Sequence, residues 1–474
     1  MYVLQIFEKI IFTYAITITL SYLILALLSW IRIRQYVRSS ALVDYKELLS
    51  SPFAPSISLI APAYNEGCTI VDNVRSLMSL QYNNHNIIIV NDGSKDDTFH
   101  KMQEAFDLVK VPYFIDKQIS TKPIRGVYKS SNRAFKRLLV VDKENGGKAD
   151  ALNAGLNISS HELIACIDVD CIIEPQALLK MAKPFLDDPS KKIIACGGVV
   201  RIANSCQIEG GRLVLPRFPD QWLVRFQVIE YLRAFLLGRM AWANLNGLLI
   251  ISGAFGLFDR EIAIKAGGYS TNTVGEDMEL VVRMRAYMTK MQRPYKVEYV
   301  PEPLCWTEAP SSNTILGRQR NRWTRGTFEV LKLHKYMCFN PKYGVVGLLS
   351  YPFWMFFEWM APIIEFIGWI YFGSLISTGN ILWSNSLWLL LLVYVFAVFI
   401  SVFSIMADEF SFRKYGNWSD LWKMLLTALI EPLVYHPKVV YWALKGNLDL
   451  ILGKGGWGQM TRAGFATTKV NQRS

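Results

Sequence analysis

Asp168 and Asp170 stand two positions apart at the end of the apolar run ELIACIDVDC, residues 162–171. In an extended chain alternate side chains leave on the same side, so this pair offers two hard oxygen ligands to a divalent cation that also binds phosphate oxygens. Three further apolar runs end in polar, mostly acidic residues. NIIIVNDGSKDD (86–97) ends at Asp92, SISLIAPAYNEG (56–67) runs into Tyr64 and Glu66, and RLLVVDKENGGKADALNAG (137–155) passes Asp142 before a glycine-rich loop and Lys148. That loop suits close approach to a phosphate, whereas Asp142 reads as a turn residue. Glu276 and Asp277 open the helical pattern NTVGEDMELVVRMRAY (272–287). Acids at a helix start answer its dipole, worth roughly 0.5–2 kcal/mol; beside a metal, such a carboxylate also takes a proton from an attacking hydroxyl. GRQRNRWTRG (317–326) gathers Arg318, Arg320, Arg322 and Arg325 around Gln319 and Trp323. Two readings stand: a positive-inside membrane anchor, or a grip on a diphosphate.

Strands that alternate with helical patterns, as at 68–80 and 148–156, position these residues in a mostly parallel sheet buried on both faces. Ligands of such sheets bind beyond the carboxyl ends of the strands, where the acids fall. The 474 residues leave room for this domain and for membrane segments, and a net charge of +12 suits anionic lipid or an anionic substrate. Seven scattered cysteines without CxxC spacing and five histidines without ligand spacing point to reduced thiols in a cytosolic compartment and against a zinc or histidine metal site. Residues 10–31 carry no charge over 22 positions and are followed by RIRQYVR, which marks a membrane span with the next segment cytoplasmic. Residues 387–407 form a second span. The segment from 344 to 366, broken by Pro352, Glu358, Pro362 and Glu365, and the aromatic-rich segment 221–242 each read either as packed helices or as helices lying in the membrane interface. The basic tail after 444 is expected in the cytoplasm, which requires an even number of crossings.

PAYNE, VNDGSKD, GGKADALNAG, DVD, SGAFGLF, GED and QRNRW occur in the order found in processive, membrane-embedded family 2 glycosyltransferases, and over residues 53–330 the chain resembles that family. The resemblance implies a GT-A type nucleotide-sugar domain at 53–330, a transmembrane helix at 1–35, interface and transmembrane helices at 331–452, and a cytoplasmic tail at 453–474. It implies that Tyr64, Glu66 and Asp92 contact uridine, Asp92 at the uracil edge, and that Lys148 lies along the nucleotide. Asp168 and Asp170 would form the metal motif for Mg²⁺ or Mn²⁺, with Asp170 the direct ligand. Asp277, with Glu276 beside it, would be the catalytic base. Gln319, Arg322 and Trp323 would close the end of the site where diphosphate and acceptor meet, and Ser252–Gly256, Gly253 among them, would shape the sugar pocket. The implied activity is inverting transfer from a UDP-sugar, by preference UDP-N-acetylglucosamine, to a growing glycan extruded across the inner membrane. The alternative is single addition to a lipid acceptor. Membrane lipid is an expected partner, as are accessory subunits or further copies of the chain; nucleic acid is not.

Overall fold

A computed structural model describes residues 2–454 apart from 46–48, 50, 52, 188–191 and 380. The expected tail at 453–474 therefore lies almost wholly outside the described residues. The chain divides into a sheet unit (39–217 and 248–309) and a helical unit (2–38, 218–247 and 310–454). Segments 218–247 and 310–330 of the expected 53–330 domain thus belong to the helical unit.

The sheet unit is built on β1 (Ile57–Ala63), β2 (His85–Asp92), β3 (Leu108–Val111), β4 (Ile124–Ser130), β5 (Leu138–Lys143), β6 (Leu163–Ile167), β7 (Ile172–Ile173), β8 (Lys192–Ile202), β11 (Phe255–Asp259) and β12 (Tyr295–Thr307). Its order is β3-β4-β5-β2-β1-β6-β11-β8-β12-β7. A separate hairpin pairs β9 (Gln207–Glu209) with β10 (Arg212–Leu215). β5, β2, β1 and β6 run parallel, which brings the loops after all four to one edge. β11 runs antiparallel to β6, so the residues before it, Ser252 to Ala254, return to that same edge. Continuous Val/Ile runs such as Ile87–Val90 and Val140–Val141 are fully buried, as strands covered on both faces must be.

In the helical unit, Lys9–Ser40 and Ser386–Ser411 are long and apolar enough to cross a membrane. The pair Val346–Trp359 and Ala361–Ser377 is bent by 41°, and counts as a third if it forms one broken span. The two acids that interrupt this pair are matched inside the unit: Glu358 accepts from the Tyr22 hydroxyl at 3.1 Å, and Glu365 lies 2.9 Å from His436.

The segment 221–242 packs within the helical unit. Trp222–Leu232 packs on the helices Trp383–Ser411 and Trp418–Val434, with Val224 through Ile229 buried. The chain continues through a widened π-helical stretch, Arg233–Arg239, to Met240–Asn244. Arg225 and Arg233 of this segment are satisfied internally. Arg225 Nε donates to the Pro219 carbonyl at 2.7 Å, and Arg233 grips Glu431 with two bonds of 2.8 and 2.9 Å.

Candidate active site

The loops after β1 and β2 are locked together. Ser94 Oγ accepts from Asn65 N at 3.0 Å, Asn65 Oδ1 accepts from Lys95 N at 2.8 Å, and Thr98 Oγ1 accepts from Glu66 N at 2.8 Å. Burial would raise the Asp96 carboxyl, but hydrogen bonds from Thr98 and Gly67 outweigh it and hold its pKa below the ordinary value. The lock leaves Tyr64 45% exposed at the strand end. Tyr64 and Glu66 thus sit in a preformed loop, where an aromatic face is available for stacking.

Asp92 is buried and saturated by its own chain. Its Oδ1 accepts from Lys143 Nζ at 2.6 Å and Gly146 N at 3.0 Å; its Oδ2 accepts from Gly147 N at 2.8 Å and Asn145 Nδ2 at 3.2 Å. Asp92 thereby clasps the glycine-rich loop. Gly147 has φ +86°, a conformation that L side chains rarely adopt, and it leads directly into the helix Lys148–Ile158. Asp142, expected in a turn, instead lies inside β5 and accepts from Asn91 at 2.7 Å and Arg125 at 2.6 Å.

The DVD residues do not continue the strand. β6 ends at Ile167, and a tight turn follows in which Cys171 N donates to the Asp168 carbonyl at 3.0 Å. The turn, not strand alternation, brings the Asp168 and Asp170 carboxylates and the Cys171 thiol to within 4.8 Å of one another. A hydrogen bond with Cys305 and burial push the Cys171 thiol well above its usual pKa, so it is a neutral S–H and the two carboxylates are the hard donors. That donor set fits Mg²⁺ or Mn²⁺.

Lys148, at the first position of its helix, forms an ion pair with Asp168 and reaches the Gly253 carbonyl at 3.4 Å. Burial opposes its charge, yet the carboxylates of Asp168, Glu276 and Asp277 more than offset this, so its pKa lies above that of an ordinary lysine. Gly253 is the hinge of the cluster. Its N–H donates to Asp277 Oδ2 at 3.1 Å, and a Cβ there would stand 3.0 Å from Lys148 Nζ and 3.5 Å from Asp277 Oδ2. Asp277 Oδ1 accepts from Met278 N at 2.8 Å. With one such bond on each oxygen, the half-buried carboxylate retains lone pairs to accept a proton. Glu276 beside it is buried. The structure therefore brings Lys148, Asp168, Asp170, Gly253, Glu276 and Asp277 into one cluster.

Gln319, Arg322 and Trp323 share one face of the helix Asn313–Leu333 in the helical unit. Of the four arginines, Arg318 is exposed and Arg322 half-buried. Arg325 corrects the anchor reading: it is buried, donating to Asn321 at 3.0 Å and the Lys454 carbonyl at 2.9 Å. Arg320 is also buried, held by Glu230 at 2.8 Å and stacked 4.2 Å from the centre of the Trp323 ring. Replacing one partner of such a pair strands the other, so Arg320→Met is expected to destabilise by about 2–3 kcal/mol, whereas Arg318→Met stays within about 0.5 kcal/mol. Thermal unfolding of both variants in detergent checks this; equal midpoints would remove the structural role assigned to Arg320.

A model of glycosyl transferase family 2 matches residues 58–226, and one of glycosyl transferase family group 2 matches residues 163–410, more than half of the chain. The chain belongs to this family. It is 28% identical over 317 residues to the poly-beta-1,6-N-acetyl-D-glucosamine synthase of Staphylococcus aureus, covering 66% of this chain and 64% of that one. Against the synthase of the same name from Staphylococcus epidermidis it is 28% identical over 327 residues, covering 69% and 66%. The matched region thus spans just under two thirds of these relatives' length. A mannosyltransferase from Pyrobaculum calidifontis, solved in complex with GDP-Man and Mn²⁺, superposes with a TM-score of 0.51 at 15% identity, over 94% of this chain and 100% of that one. This likeness is one of fold: a GT-A type sheet domain, with helices apolar enough to span a membrane near both ends.

Within this family 2 glycosyltransferase, the sequence reading missed Lys143 and Asp150. Lys143 is wholly buried, and its ammonium lies 2.6 Å from Asp92 and 2.6 Å from Asp150. Asp150 also accepts from Lys122 N at 3.0 Å. Lysine at the polar end of an apolar strand normally reads as solvated. The available signal was the spacing of three charged residues, Asp142, Lys143 and Glu144, in a run otherwise fit for burial.

Proposed function

We propose that the protein is an inverting glycosyltransferase that moves a sugar from a UDP-sugar, by preference UDP-N-acetylglucosamine, onto a growing polysaccharide. The sheet unit is its catalytic domain and the helical unit its membrane portion, through which the product leaves. The observation that carries this reading is the cluster in which Asp168 and Asp170 can hold a divalent cation while Asp277, tied to Gly253, remains able to accept a proton. The named relatives support the sugar and the polymer, and the Mn²⁺ of the solved mannosyltransferase supports the metal.

Asp168 and Asp170 would hold Mg²⁺ or Mn²⁺, which when bound supplies positive charge to the diphosphate oxygens of the leaving group. Asp277 takes the proton of the acceptor hydroxyl as that oxygen bonds to the anomeric carbon. The bond from this carbon to the diphosphate breaks, its electron pair leaves with UDP, and a single displacement inverts the centre. Lys148 stabilises the departing negative charge in a site with little water. Tyr64 and Glu66 receive the uridine on the preformed β1 loop. Arg322, with its planar two-point donors, is the residue assigned to the diphosphate, with Gln319 and Trp323 at the acceptor end.

The test is a panel of radiolabelled nucleotide-sugars incubated with the purified full chain in lipid and Mg²⁺ or Mn²⁺, with products sized. A polymer ladder from UDP-N-acetylglucosamine is expected. A product one sugar longer than a lipid acceptor would replace polymerisation by single addition, and no turnover of any donor would end the enzyme reading. Asp170→Asn should keep the fold while weakening Mn²⁺-dependent UDP binding at least tenfold, because the cation loses an anionic ligand. Parent-like UDP affinity with Mn²⁺ present would remove Asp170 from the metal site.

A further inference from the structure

Lys148 is in an unusual place. A cation at the first position of a helix faces the positive end of the helix dipole, so the local backbone does not favour it. What holds it is the ion pair with Asp168, supported by the Gly253 carbonyl at 3.4 Å. Asp168 is also one of the two carboxylates available to a metal. The side chains of Lys148 and Asp168 are only 22% and 26% exposed, so solvent screens charge weakly there. An ammonium and a divalent cation drawn to the same carboxylate repel one another.

We propose that Lys148 is an internal counter-cation, which occupies Asp168 until a nucleotide diphosphate arrives and so makes metal uptake conditional on the nucleotide. This rests on the reading of Asp168 and Asp170 as the metal site. The diphosphate provides oxygens for both cations, and the flexible lysine stem allows the ammonium to move from carboxylate to phosphate. A site arranged in this way resists divalent ions when empty. It also offsets part of the negative charge of the carboxylates at 168, 276 and 277. Because coupling between two ligands is reciprocal, whatever factor UDP adds to Mn²⁺ affinity, Mn²⁺ adds to UDP affinity.

The experiment measures Mn²⁺ binding to the purified full chain in detergent, by titration calorimetry and by loss of the free-ion paramagnetic resonance signal, with and without UDP. In the parent, Mn²⁺ alone should bind weakly and UDP should tighten it at least tenfold. Lys148→Met, which keeps the unbranched stem without the ammonium, should bind Mn²⁺ alone at least tenfold more tightly and show a smaller gain from UDP. Lys148→Gln should behave likewise, and Lys148→Arg should retain the parent's weak binding of Mn²⁺ alone. Should the neutral variants fail to fold, the parent's own dependence on UDP and the arginine variant still decide. The proposal is overturned if the neutral variants bind Mn²⁺ alone no more tightly than the parent, or if UDP leaves parental Mn²⁺ affinity unchanged. If Asp170→Asn binds Mn²⁺ with UDP as well as the parent does, the metal-site reading has failed, which is a separate result from failure of the counter-cation alone.

Discussion

Asp277→Asn is expected to lower nucleotide-sugar turnover by roughly 10²–10⁴-fold, the usual cost of losing a general base. At about 1.4 kcal/mol per factor of ten, this is roughly 3–5 kcal/mol of transition-state stabilisation. The substitution is nearly isosteric, but the amide cannot accept at both ends as the carboxylate does. Asp277 Oδ2 takes the Gly253 N–H at 3.1 Å and Oδ1 takes the Met278 N–H at 2.8 Å. Asparagine satisfies one of these donors and turns its own N–H₂ toward the other, so a stability loss of about 1 kcal/mol accompanies the kinetic one. The two effects separate experimentally. UDP retention in the presence of Mn²⁺ should stay close to that of the parent, because the nucleotide contacts lie on other residues, while single-turnover sugar transfer collapses. Asp277→Glu, which keeps the base but moves it by one methylene, should recover part of the rate if the group is chemical. Wild-type-like turnover in the asparagine variant would reduce Asp277 to a cap for the helix Glu276–Lys290.

The carboxyl-edge arrangement was legible because it follows from chain geometry. Parallel strands β5, β2, β1 and β6 place their following loops on one edge whatever the details, so the acids at 92, 142, 168 and 170 had to lie near it. What each acid does there was not legible. Asp92 and Asp168 look alike in sequence, each ending an apolar run. Asp92 is consumed by Lys143 and by donors of a loop more than fifty residues away, whereas Asp168 pairs with Lys148 beside the second carboxylate of the metal motif. The difference is set by tertiary partners, which no local pattern encodes. The same limit explains the arginines at 317–326. Helical spacing foretells that Arg318, Arg322 and Arg325 share a side and Arg320 another, but not that Glu230 and Lys454 await Arg320 and Arg325. Nor does spacing foretell that Arg225 and Arg233 in the segment 221–242 meet the Pro219 carbonyl and Glu431.

Lys143→Met is expected to be the most destabilising single change in the sheet unit. The ammonium is wholly buried and equidistant, at 2.6 Å, from the carboxylates of Asp92 and Asp150. Burying a charge pair brings little net stability, but removing one member leaves its partner desolvated and unpaired, at about 3–5 kcal/mol. Here one substitution removes the cation from two carboxylates on adjoining elements: Asp92 at the end of β2 and Asp150 in the first turn of the helix that begins with Lys148. A domain of this size loses roughly 2–4 °C of midpoint per kcal/mol, so the loss should be roughly 6–20 °C. The coupling is open to a double-mutant cycle. Asp150→Asn in the parent removes a partner that Lys143 needs; in the methionine background it removes an uncompensated charge. It should therefore cost clearly less in the second case, by at least about 1 kcal/mol, while Asp92 remains held by the Gly146 and Gly147 N–H groups. Thermal unfolding of the four proteins in detergent gives the answer. A methionine variant within about 3 °C of the parent, or strict additivity in the cycle, would mean that Lys143 does not neutralise this pair and that the glycine-rich loop ahead of Lys148 is held in place by Asp92 alone.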